Sequence, residues 1–380
     1  MRSIKTKLCS LGMAAAMLLA LAGCNLSTPS SVGSIGGVDI PAGVYLLAQY
    51  DAYNTASALA DLATGETAND VSAVLRAECT GTIGDEEVTA TGEEYIARLT
   101  LRALEYYAAV EQKFADLGAT LEDAAMTTVQ DSVDSLWQTN GDLYAANGIG
   151  RQSVQAYLEN AQKASTILTL TYGPEGSDPV SDAEYTDFLN NKCYYIETVQ
   201  LPLVDYTTYT MADDDQKSTI MDLAAACAEE LNRTATGETA GSAAVYEAAS
   251  TYVPQAMEAL GATMESAEQA AYYVGTQLYT PDDLASYGGD GYNNLTDPLD
   301  AVALNQWTTI DLGTVVLAAR RVDPLQTYTV EDLTGMYDLL TALKGEELQN
   351  QFYADGAAME HALDEGAMRT YSASKIKKEV

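Results

Sequence analysis

Histidine is almost missing from this 380-residue chain, which has a single one, His361; tryptophan (2), phenylalanine (3) and cysteine (5) are scarce too. One imidazole excludes a histidine-rich metal site and any relay that passes a proton between two histidines. The cysteines, Cys9, Cys24, Cys79, Cys193 and Cys227, show no C-x-x-C spacing, so zinc and dithiol redox motifs are absent and no metal or other cofactor is expected. Positive charge is the next shortage: 19 Lys and Arg stand against 55 Asp and Glu, a net charge of −36. Such a surface has no basic groove for a phosphate backbone, so nucleic acid is excluded as a partner. Gly-rich phosphate loops and a serine matched to a base are also lacking. What the chain does have is 47% hydrophobic residues, enough for folded cores in two or three domains, and 25 tyrosines.

The first residues combine Arg2, Lys5 and Lys7 with an apolar run from Leu8 to Ala22. That run is about 15 residues, short of the roughly 20 that span a bilayer, so it reads as a signal peptide over residues 1–23. Leu21-Ala22-Gly23-Cys24 resembles the lipobox of bacterial lipoproteins. The resemblance implies cleavage after Gly23, a lipid on Cys24, and a place on the extracytoplasmic face of the cell membrane. Residues 24–37 are small and polar and are expected to be a flexible tether.

Beyond it, periodicity and capping signals mark a series of helices. Pro41, at the first turn, opens a helix that runs to about Leu62, and Thr91-Gly92-Glu93-Glu94 has capping-box spacing ahead of Tyr95, Leu99, Ala103, Tyr106, Val110 and Phe114. The stretch from Thr64 to Ala90 reads as a connection with a turn of helix near Val71–Arg76. Further helices are expected at 121–144 and 152–172, and Ser181-Asp182-Ala183-Glu184 is a second capping box. Tyr194–Leu201 is aromatic and β-branched, hence a strand, as is Gly313–Val322. Between them lie helical stretches near 216–231, 243–260 and 266–278, and 329–363 is helical again with His361 on it.

This order resembles the extracytoplasmic foldases of the SurA and PrsA type. The likeness rests on Gly36-Gly37-Val38-Asp39-Ile40-Pro41, Val133-Asp134-Ser135-Leu136-Trp137, Asn147-Gly148-Ile149 and Tyr172-Gly173-Pro174-Glu175-Gly176, and on Ala367-Met368-Arg369-Thr370-Tyr371 with Lys375-Ile376. It implies an α+β, mostly α fold. A helical chaperone domain of the SurA and trigger-factor kind (38–190, with 326–380 packing back on it) would carry an inserted parvulin-like domain at 191–325. That domain's peptidyl-prolyl isomerase pocket uses histidines on its first and last strands; here Thr198 and Val315 stand near those positions, and Gly288-Gly289-Asp290-Gly291 only echoes the family's Gly-rich segment. The insert is therefore expected to be degenerate, with no catalytic residues.

The expected function is a membrane-anchored chaperone for unfolded, newly exported polypeptides. An active isomerase with an atypical pocket and a solute-binding or scaffold lipoprotein are the alternatives. Tyr106, Tyr107 and Trp137 are candidates for client contact, because aromatic faces bind apolar segments without sequence demands; the same residues suit a helical core. Asp213–Asp215 and Asp282, Asp283 and Asp290 lack EF-hand spacing and read as solvated helix starts.

Overall fold

A pair of glycines makes the first turn: Gly36 and Gly37 have φ of 57° and 80° and join β1 (Ser31–Ile35) to β2 (Val38–Pro41). Ile35 pairs with Val38, so the loop has two residues, and both need the left-handed region that glycine enters without steric cost. The computed structural model describes residues 29–64, 70–235, 243–264, 266–286, 289–326, 329–336 and 339–379. The expected signal peptide and Cys24 lie outside them. The expected tether at 24–37 is corrected from Ser31 onward. Val32 and Ile35 are fully buried, and that burial together with pairing on both edges holds β1 in a sheet.

The helix α1 (Ala42–Thr64) follows, then α2 (Val71–Arg76), whose start is capped by Asp70 accepting from the Ala73 amide at 2.6 Å. The supposed connection is in part a hairpin, β3 (Glu78–Ile83) with β4 (Glu86–Thr91), turning at Gly84-Asp85. Its inward residues Cys79, Val88 and Ala90 pack on Ala56, Tyr95 and Ile96, and that burial, more than local propensity, makes it a strand pair. Thr91 then caps α3 (Gly92–Asp116), accepting from the Glu94 amide. The helices α4 (Asp123–Ala146) and α5 (Arg151–Tyr172) complete the run. Asn160 and Lys163 on α5 both reach Glu111 on α3, Lys163 at 2.7 Å.

Both halves of the capping box at Ser181 form, starting α6 (Asp182–Asn191). The chain continues through β5 (Tyr194–Pro202), a short ribbon of β6 (Val204–Asp205) and β7 (Thr210–Met211), α7 (Asp214–Thr234) and α8 (Ala243–Ala259). Asp213 and Gln216 form a further capping box at the start of α7, which accounts for the first acid of the Asp213–Asp215 run. The expected helix at 266–278 is a 3-10 turn followed by β8 (Val274–Tyr279), because Val274 to Tyr279 pairs along β5. Next come α9 (Pro281–Ser286), α10 (Gly289–Asp300), β9 (Thr308–Asp311) and β10 (Val315–Arg321). After α11 (Val330–Met336) and α12 (Leu339–Ala358), His361 lies not on a helix but in β11 (His361–Leu363), which pairs with β1. The short helix α13 (Glu365–Thr370) precedes the tail.

The fold is α+β and mostly helical, with small antiparallel sheets. One compact unit takes in the described residues up to Ile167 and those from Glu347 onward; the second runs from Leu168 to Glu346. The expected boundaries at 190/191 and 325/326 fall inside the second unit. Tyr185, Phe188 and Leu189 of α6, with Leu333 and Leu339, close around Tyr195 and Leu278 of the sheet and draw these helices into it.

That sheet has the order β8-β5-β10-β9, antiparallel throughout. One face, with Val199, Leu201, Val316 and Ala318, packs on Ile220, Cys227, Val245 and Val253 of α7 and α8. The other, with Ile196 and Leu317, packs on Leu284, Leu295 and Leu299. Glu197 and Arg320, cross-strand partners on the α7/α8 face, are 3% and 1% exposed. Arg320 donates from Nε to Glu197 Oε2 at 2.8 Å and from Nη1 to the Ala235 carbonyl at 2.7 Å, and its guanidinium stacks 4.9 Å from the Trp307 ring centre. Its Nη2 is also 2.7 Å from Oε2, but off the hydrogen-bond line, so the attraction there is Coulombic. Cys79, Cys193 and Cys227 are all buried and free, so the single disulfide that their number permits does not form.

Removing one charge would strand the other in the core. Glu197→Ala is expected to cost about 3–5 kcal/mol, while replacing both by apolar side chains, Glu197→Leu with Arg320→Met, costs much less. Urea titration of the two variants checks this; a Glu197→Ala loss within about 1 kcal/mol of zero would show that the pair is not the core anchor described.

Candidate functional site

Within the first unit, an open groove of about 590 Å³ lies between the β3–β4 turn, one face of α3 and the second half of α12. Its shape is set by a close approach: a side chain on Gly356 would put Cβ 2.2 Å from the Glu105 carbonyl oxygen, so only glycine lets α12 lie this near α3. Ile83, Val88 and Leu101 supply apolar wall, Arg98, Arg102 and Asn350 supply donors, and Asp85, Glu86 and Glu105 supply acceptors. The Arg102 guanidinium sits between the Gly84 turn and the Tyr353 ring, 3.6 Å from the ring centre, in a cation–π stack. Tyr353 is backed by Tyr106, with ring centres 5.2 Å apart, and Tyr106 meets Phe352 edge-on at 5.5 Å.

Burial pushes the Glu105 carboxyl above its usual range, against the opposing pull of His361 and Arg102. His361 Nε2 is 3.5 Å from Glu105 Oε1. Burial, with Tyr353 and Tyr157 nearby, raises the Tyr106 hydroxyl to about 12, so it stays protonated at neutral pH. The groove thus offers hydrogen bonds, a flat cationic–aromatic surface and aliphatic wall, but no nucleophile matched to a base.

The three aromatic residues singled out from sequence do not share one surface. Tyr106 supports the groove from behind Tyr353. Tyr107 is 7% exposed, packed with Val32, Ile35 and Leu104, so it has no face left for a client. Trp137 lies on α4 against Leu47, Ile149 and Val154, with its ring centre 6.4 Å from that of Tyr144. Sequence reasoning missed Arg98, Arg102 and Tyr353. The available signal was the i, i+4 spacing of two arginines on α3 in a chain with only 19 basic residues.

In the second unit, Thr198 faces Ala319 across β5 and β10, and Val315 faces Pro202. The two positions where the resemblance implied histidines lie on adjacent strands but four pairs apart. Thr198 Oγ1 approaches the Gly275 carbonyl at 3.5 Å, and Ile196, Leu317 and Ala319 share its face. Gly288 lies outside the described residues, and Gly289–Gly291 opens α10. Of the other acidic cluster, Asp283 accepts from both the amide and the hydroxyl of Thr280 as the cap of α9.

No family model and no curated protein matches this chain. Among solved structures it is similar to the crystal structure of foldase protein PrsA from Streptococcus pneumoniae str. Canada MDR_19A, with a TM-score of 0.30 and 8% identity over 79% of this chain and 92% of that one. A likeness that loose carries no argument about kinship or activity, so the functional reading rests on the groove and the sheet themselves.

Glu105 gives the groove a pH signature. A carboxyl whose folded value is raised adds its full share of stability below the ordinary 4.5 and loses it as pH rises through the folded value. Glu105→Gln should therefore stabilise the protein at pH 7 and flatten the decline above pH 4.5, as read by thermal melts across pH 4 to 8. A variant less stable than the parent at pH 7 would reverse the sign assigned here.

Proposed function

We propose that this chain is a lipid-anchored extracytoplasmic chaperone that holds unfolded exported polypeptides by shallow, reversible contacts, without prolyl isomerisation. The observation that carries this reading is the groove of α3, α12 and the β3–β4 turn: open and mixed in chemistry, with a guanidinium–tyrosine stack at its centre. An unfolded segment brings unpaired backbone groups and scattered apolar side chains. Arg98 and Asn350 can donate to its carbonyls, Glu105 and Asp85 can accept from its amides, and Leu101 and Tyr353 can cover its apolar groups. Each such hydrogen bond is worth about 0.5–1.5 kcal/mol net, and association itself costs several kcal/mol, so the sum suits capture and release without ATP.

The second unit supports the non-catalytic half of the reading. The resting peptide bond resists rotation by about 18–20 kcal/mol, and lowering that barrier takes a pocket that grips the twisted form. The sheet face around Thr198 and Ala319 holds no imidazole and is packed with aliphatic side chains. Anchorage rests on the basic, apolar and Leu-Ala-Gly-Cys order of the first 24 residues.

The full chain should slow aggregation of a reduced, unfolded client. Arg102→Ala combined with Tyr353→Ala should weaken that effect several-fold while leaving the fold intact by circular dichroism. The same preparation run on a proline peptide should give no acceleration. Client protection untouched by the double variant, or isomerisation at the rate of an active parvulin, would sink the proposal. Cys24→Ser should move the protein from the membrane to the soluble fraction; persistence at the membrane would show that the anchor lies elsewhere.

A further inference from the structure

Beyond α13 the chain makes one 3-10 turn, Ala373–Lys375, capped by Ser372, and leaves it at Ile376 to pass α1 and α4 of the same unit. Tyr371 donates its hydroxyl to the Pro29 carbonyl, and two residues on, Ala373 is buried among Ala52, Tyr53 and Ala56. Ile376, three positions later, packs against the same cluster. Lys377 is then held by backbone alone: its amide donates to Asn147 Oδ1 at 2.8 Å, and Asn147 Nδ2 donates to its carbonyl at 3.0 Å. Lys378 lines a hollow together with Tyr50, Tyr53 and Asn54, and Glu379 lines another with Trp137 and Leu143. Hollows of about 300, 310 and 290 Å³ flank this path, so the tail does not fill it.

The Asn147 clasp reads a backbone without reading its sequence, whereas the packing of Ala373 and Ile376 selects for small or branched apolar side chains. A side-chain amide that both donates to and accepts from one backbone residue recognises any non-proline residue in that geometry. The chain uses the same clasp where Asn232 holds the backbone of Trp307, but Trp307 is buried in the core, whereas Lys377 is exposed. The apolar anchors are small, one alanine and one half-buried isoleucine. The tail also carries Lys375, Lys377 and Lys378 in a chain of net charge −36, so it is drawn to the body by charge. A segment fixed by two anchors and a few hydrogen bonds opens at far lower free energy than the core.

We propose that residues 372–379 are the internal occupant of a polypeptide track on α1 and α4. A client segment that sets small or branched apolar residues in the places of Ala373 and Ile376 displaces them. This rests on the polypeptide-binding reading and adds its regulation: the tail sets the affinity a client must reach. A site open only a fraction of the time binds more weakly by that fraction, so freeing the track should raise client affinity by about tenfold or more.

The test compares three forms of the chain: intact, truncated after Tyr371, and intact with Lys377→Pro. The last removes the amide that Asn147 accepts without altering the track, and Ile376, at φ −57° and ψ 138°, already has the backbone that a following proline requires. The probes are a fluorescent peptide of residues 371–380, its scrambled version, and reduced carboxymethylated α-lactalbumin. The two altered forms should bind the peptide and the unfolded protein at least tenfold more tightly than the intact chain. The peptide should compete with the unfolded protein, and the scrambled peptide should bind weakly. If the truncated form does not fold, Lys377→Pro alone decides. Equal client binding by all three forms overturns the inference and leaves the chaperone reading standing. Peptide binding with no client binding by any form overturns both, leaving the tail a simple strap. A tail exchanged between two copies of the intact chain, seen as a dimer, also overturns it.

Discussion

The strand β1 needs a hydrogen-bond partner on each edge, and the nearby chain supplies only one of them. Its hairpin partner β2 satisfies one edge; the other pairs with β11, from Gly33 opposite Leu363 to Ile35 opposite His361. A buried strand with one bare edge leaves backbone groups unpaired at about 1–3 kcal/mol each, so this pairing constrains everything that follows. It fixes β11 beside β1, and β11 follows directly on α12, whose second half forms the groove with α3. It also places the last residues where Asn147 can hold them.

A different constraint governs the second unit. The sheet brings Glu197 and Arg320 opposite each other in a dry core, where each charge is tolerable only because of the other, the Ala235 carbonyl and the Trp307 ring. A one-residue slip of β10 on β5 would part the charges and turn Val316 and Ala318 away from α7 and α8. The pair therefore specifies register as well as closing the core. The same register sets Thr198 opposite Ala319, so its partner across β5 and β10 is apolar.

Signals confined to one turn of chain were legible. The box at Ser181 and Glu184, the Thr91 cap and the aromatic, β-branched run at Tyr194 each state their structure within a few residues, and each is found there. Strands that owe their existence to a distant partner were not. Val274–Tyr279 lies amid helix-forming residues and is extended because β5 is there; Ser31–Ile35 reads as linker and is a strand because of β2 and β11. His361 sits at the end of a helical pattern and belongs to a strand for the same reason.

The candidate site divides along the same line. Composition alone rules out a multi-histidine centre, since one imidazole cannot supply it. Which aromatics face water was decided by packing: Tyr106 and Tyr107 are neighbours in sequence, yet one backs a groove and the other is core, because 100° of helical turn separates them. The meeting of Arg102 with Tyr353, and of Asn147 with Lys377 across 230 positions, depends on how distant segments close on one another. Local pattern carries no information about such distances, because the free energy that selects them comes from burial and hydrogen bonds formed only once the chain has folded.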